Sequence, residues 1–65
     1  MFTELYEVRL TFIFDKGGAP KSQVYKVKAK DSDTAILAAK EKFYDSLGYP
    51  IPDGKLEIDY CIIRK

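Results

Sequence analysis

Few residues of this chain are of a type that can do chemistry, and most of those are accounted for by simpler roles. Two carboxylate pairs stand two positions apart, Asp31 with Asp33 and Glu57 with Asp59. Such pairs can bind a hard cation or divide acid and base work in a hydrolysis. The chain has no histidine and a single cysteine, Cys61. Histidine-based proton transfer, serine triads, histidine metal sites, cysteine zinc clusters and an intramolecular disulfide framework therefore each lack a necessary group. Asp31 and Asp33 precede a run with helical periodicity, where capping and the helix dipole call for them. Glu57 and Asp59 share one side of an alternating segment, as residues of a solvated strand face do. Cys61 falls on the outward side of that segment, with no base nearby to activate it. Gly17-Gly18 is too short for a phosphate loop and leads into a strand, whereas phosphate-binding glycines lead into a helix. The sequence thus predicts no catalytic residue, no metal ligand set and no cofactor; it reads as non-enzymatic.

Lys21, Lys26, Lys28 and Lys30 are a different kind of candidate. Proteins that bind single strands on a β-sheet combine basic grooves with exposed aromatic rings. Here a period of two sends Phe12, Phe14, Tyr25 and Tyr60 to the side away from the lysines. The cluster reads first as the guard of a sheet edge and second as a nucleic-acid-binding strip.

These residues are carried by four elements. Residues 3–14 alternate, with Tyr6, Val8, Leu10, Phe12 and Phe14 on one side and Glu7, Arg9 and Thr11 on the other, which makes a long half-buried strand. Residues 15–20 collect turn formers, including two glycines able to take positive φ, and predict a hairpin loop. A second strand over 22–30 turns Tyr25, Val27 and Ala29 inward and Val24, Lys26, Lys28 and Lys30 outward. Residues 31–47 have helical periodicity, with Ile36, Ala39, Phe43 and Leu47, flanked by Ala35, as the apolar stripe. Ala38, Glu41, Lys42 and Asp45 lie opposite. Asp31 caps this helix, and Gly48 followed by Pro50 ends it. The connection 48–54 is stiffened by Pro50 and Pro52. A third strand over 55–63 is read with Leu56, Ile58, Tyr60 and Ile62 inward and Glu57, Asp59, Cys61 and Ile63 outward.

The fold class is therefore α+β: a ββαβ chain forming one domain over residues 1–65, with the helix on one face of a three-stranded sheet. The first strand is the longest and most apolar, so it belongs in the centre, and the lysine-rich second strand belongs at an edge. This gives the antiparallel order 2-1-3. The competing order 1-2-3 would pair the second and third strands in parallel through a right-handed crossover.

The sheet's other face is left open, with opposite charges on neighbouring strands and Leu5, Ile13, Val24 and Ile63 as its apolar members. Beside the core stripe, Leu37 and Tyr44 bracket Lys40. With Tyr49 and Ile51 they offer a mixed aromatic, aliphatic and basic surface of the kind used to bind proteins. Leu37, Lys40, Tyr44, Tyr49 and Ile63 are accordingly the candidate partner-binding residues.

Composition supports a small interaction domain. Sixty-five residues lie near the lower limit for one unaided core, so stability is modest or helped by pairing of copies. Eleven basic against ten acidic residues give a net charge of +1, which supplies no global field for nucleic acid or anionic membrane. At 32% charged and 14% aromatic, the chain is not of disordered composition. No basic region followed by an apolar core opens the chain, and no apolar run approaches the length of a membrane span. With one cysteine, these features predict a cytoplasmic protein.

The run Val27-Lys28-Ala29-Lys30-Asp31-Ser32-Asp33-Thr34-Ala35, with Ala38 and Ala39, resembles a strand-to-helix junction of small accessory proteins of phages and mobile elements. The podophage inhibitors of host RNA polymerase are among them. The resemblance covers about a third of the chain and carries over no functional residue. It implies a stand-alone protein that acts by occupying a surface of a larger host macromolecule, through a sheet edge, the open face or the Leu37/Tyr44 flank, with a homodimer as one arrangement.

Overall fold

A computed structural model describes residues 2–64. The chain runs β1 (Glu4–Phe14), β2 (Lys21–Ala29), α1 (Ser32–Leu47) and β3 (Gly54–Arg64), each boundary within one residue of the sequence reading. The sheet order is β2-β1-β3, and both pairings are antiparallel. The reason is visible in burial. Tyr6, Val8, Leu10 and Phe12 of β1 are all buried, as only a central strand under a helix allows. From β2 only Val27 and Ala29 join them, and Lys26, Lys28 and Lys30 stay exposed at the edge.

The helix begins at a true cap. The Asp31 carboxylate accepts the Thr34 N–H at 2.8 Å, and its carbonyl accepts the Ala35 N–H at 3.1 Å. At the other end the Gly48 N–H donates to the Asp45 carbonyl at 3.4 Å.

The line buried beneath the helix is Ala35, Ala39 and Phe43, spaced i, i+4, i+8. This corrects the predicted stripe, whose centre was placed nearer Ile36 and Leu47; those two are half-buried flanks, and Ala38 packs against the core instead of lying opposite it. The physical cause is size, since two alanines let the backbone approach the sheet and Phe43 then fills the space beyond them. Its ring stacks on Phe12 with centroids 6.3 Å apart, and Phe12 meets Phe14 edge-on at 5.1 Å.

A second correction concerns β3. Pairing with β1 steps from Leu10↔Ile58 to Arg9↔Tyr60, so Asp59 is an extra residue in a β-bulge. Beyond it the alternation changes phase. Cys61 pairs with Val8 and Ile63 with Tyr6, on the helix side, while Tyr60 and Ile62 pair with Arg9 and Glu7 on the open side. Simple alternation assigned all four to the wrong faces. Leu56, Ile58 and Cys61 on the helix side are only half-buried. The core is closed over β1 and thins out over β3.

Gly54 is the first residue of β3. A Cβ there would lie 2.5 Å from the Ile13 carbonyl oxygen and against the Phe12 ring, so only glycine permits this approach.

Candidate functional site

At the end of the sheet where β1 outruns β2, the hairpin loop and the α1–β3 connection come together. The last β1–β2 pair is Phe12↔Lys21, whereas β1 and β3 stay paired to Phe14↔Gly54. Phe14 therefore projects past one neighbour and is held by the other. The Asp15 N–H donates to the Asp53 carbonyl at 3.0 Å and binds loop to connection. Between them lies an open cleft of about 420 Å³ walled by Phe14, Pro50, Ile51 and Pro52, with Lys16 and Asp53 at its polar margin. Among the described residues neither of these charges is in an ion pair. The cleft is of the size and character that receives an apolar group, with a cation and a carboxylate able to orient it.

The predicted partner-binding residues do not form one surface. Tyr49, 87% exposed, belongs to this end of the molecule, next to the cleft in the chain. Leu37, Lys40 and Tyr44 share one side of α1 through their spacing of three and four. Leu37 is 59% exposed, and Tyr44 is half-buried against the core. Ile63 lies at the other end of a body 42 Å long, opposite Tyr6 and on the helix side of the sheet, not on the open face assigned to it. The cleft is not legible in the sequence because its walls come from two segments, residues 14–17 and residues 50–53, that are far apart in the chain. The one available signal was Pro-Ile-Pro, which holds Ile51 in a fixed connection.

The open face is a connected polar surface. Tyr60 donates from its hydroxyl to Glu7 Oε2 at 2.8 Å, and Arg64 Nε lies 3.6 Å from Glu7 Oε1. Arg9 Nε is 3.4 Å from Asp59 Oδ2, which also accepts from the Thr11 hydroxyl; Thr11 and Ser22 share a hydrogen bond of 2.9 Å. The bulge makes this possible by presenting Asp59 and Tyr60 on the same side. Lys26 and Lys28 stand across from Glu7 and Leu5 on this face. Lys21 pairs with Phe12 on the helix side and Lys30 lies beyond the strand, so the four lysines are not one strip.

Three groups have displaced pKa values. The Thr34 N–H holds the Asp31 carboxyl below the ordinary carboxylate range. The hydrogen bond to Glu7, aided by desolvation, raises Tyr60. Burial, with a smaller contribution from Asp33, raises the Cys61 thiol. Among the described residues no group of three or more histidine, cysteine, aspartate or glutamate side chains is arranged to hold a metal, and no helix is long and apolar enough to cross a membrane.

Fold and surfaces together define a small α+β domain of ββαβ order with an apolar cleft at one end. No protein-family model, curated protein or solved structure matches the chain.

Proposed function

We propose that this is a non-enzymatic interaction protein that binds and modulates a larger host protein, with the end cleft as the anchor pocket. The observation that carries the reading is the apolar-walled cleft, whose Pro50 follows directly in the chain on Tyr49, a residue 87% exposed. Tyrosine is enriched among the few residues that supply most of an interface's binding energy. The flank of α1 bearing Leu37, Lys40 and Tyr44 extends the same surface chemistry along the helix. A phage or mobile-element origin rests on the likeness of the strand-to-helix junction alone, and a cytoplasmic location on composition.

The test is retention of partners from lysate by the immobilised protein and by two variants. Ile51→Asp and Tyr49→Ala should each lose a protein that the parent retains, by about tenfold or more. Retention of the same proteins by parent and both variants would remove the cleft from the binding surface.

A second reading has one observation in its favour. Lys26 and Lys28 lie on the open face together with Tyr60, which the bulge returns to that side. This is the basic and aromatic pairing that single-stranded nucleic acid uses. Titration with mixed oligonucleotides at increasing salt distinguishes it, since phosphate contacts give a steep loss of affinity. Absence of binding at low salt would eliminate it.

A further inference from the structure

The free edge of β3 points to a second copy of this chain. Pairing on β3's other side is with β1 alone among the described residues, which leaves an eleven-residue edge. The β2 edge is guarded by lysines, as exposed edges usually are. On β3 the basic residues, Lys55 and Arg64, stand at the two ends, and the stretch between them carries none. From Leu56 to Ile63 its charged residues are Glu57 and Asp59, and both are engaged within their own sheet, by Lys55 at 3.8 Å and by Arg9. Ile62 and Ile63 are exposed on opposite faces of the same strand.

A regular strand matches a second copy face for face in every register two residues apart, whereas the bulge leaves one register that matches along this stretch. From Leu56 to Ile63 the side chains point helix side, open side, helix side, open side, open side, helix side, open side, helix side. That series reads the same in both directions about the Asp59–Tyr60 bond. Two such strands run antiparallel across a twofold axis therefore match face for face along their whole length. We propose that β3 pairs with β3 of a second copy in this register, making a six-stranded sheet with β3 strands at its centre.

The side-chain partners agree with the geometry. On the helix side Ile58 meets Cys61 of the second copy and Leu56 meets Ile63, so the apolar groups that α1 leaves half-covered cover one another. On the open side Glu57 meets Ile62 and lies diagonal to Arg64 of the second copy, while Lys55 comes directly opposite that arginine, a like-charge pair at each end that keeps the association weak. The inference is independent of the end cleft, which lies off this edge. An interface built on one strand per copy is small, so a dissociation constant on the order of micromolar is expected.

Sedimentation equilibrium of the whole chain from about 10 μM to about 1 mM covers that range. A dimer that dissociates on dilution is expected, and Ile62→Lys, which places a lysine on the unguarded edge, should weaken it at least tenfold with an unchanged circular dichroism spectrum. Register is read by a disulfide. Ile58→Cys should give a covalently linked dimer with native Cys61 on mild oxidation, because directly opposed residues lie within disulfide reach. Within one strand, positions three apart are separated by roughly 10 Å and cannot bridge. The parent and Leu56→Cys, whose opposite residue is Ile63, should not cross-link. A monomer throughout the range would overturn the proposal. So would a dimer untouched by Ile62→Lys, or one in which the parent cross-links through Cys61 while Ile58→Cys gains nothing.

Discussion

Gly54 is the position where a single atom matters most. Its missing Cβ is the space occupied by the Phe12 ring and the Ile13 carbonyl, so Gly54→Ala forces β3 away from the end of β1. A loss of about 1–3 kcal/mol is expected, measured as the shift in the urea midpoint. Tyr60 offers a pH-dependent counterpart. Its bond to Glu7 raises the pKa of the phenol above the unfolded value. By linkage, this contribution to stability is fully present below the unfolded pKa of about 10 and is lost as pH rises through the folded value. Spectroscopic titration should show a tyrosine component raised above the ordinary phenol range that is absent in Tyr60→Phe and moved to lower pH in Glu7→Gln. A raised component unchanged in Glu7→Gln would show that the hydrogen bond does not set the shift.

Among the elements, β3 departs most from its sequence pattern. Asp59 is the residue without a partner on β1, so its deletion should remove the bulge while Ile58 and Tyr60 keep their faces as consecutive residues. Deleting Ile58 instead would put the Asp59 carboxylate opposite Leu10 on the helix side or, with the bulge retained, turn Leu56 and Glu57 to the wrong faces. The expectation is a folded Asp59 deletion and an unfolded Ile58 deletion, read by the dispersion of amide resonances. The reverse outcome would place the irregularity elsewhere in the strand. The helix is the opposite case, since its cap, its end and its amphipathic character were all legible from Asp31 to Gly48. Only the rotation about its own axis was not, because that is set by which residues let the backbone approach the sheet.

At the scale of the molecule, the core is one thin layer between a helix and three strands, and Phe43 is its largest fully buried side chain. Truncation of a buried phenylalanine to alanine costs about 3–5 kcal/mol, and a core of this size rarely supplies more in total. Phe43→Ala is therefore expected to be largely unfolded at 25 °C, seen as loss of the folded baseline in thermal circular dichroism. A cooperative transition close to the parent's would mean that the core draws its stability from elsewhere, with the β3 pairing the first place to look.

Element order, and element boundaries to within a residue, were determined by the sequence alone, which also favoured the observed sheet order over its one competitor. They follow from periodicities of two and 3.6, from Gly and Pro at the breaks, and from the contrast between an apolar β1 and a lysine-bearing β2. Facing was not determined wherever apolar residues occupy both parities. In Tyr60-Cys61-Ile62-Ile63 either phase is acceptable to the pattern, and only pairing with β1, which leaves Asp59 over, chooses between them. Nor was the end cleft, because Phe14 and Ile51 become neighbours only when β3 is drawn against β1 and the loop is bonded to the connection through Asp15 and Asp53. Local pattern is a property of neighbours in the chain; a pocket and a register are properties of segments that meet only when the chain is folded.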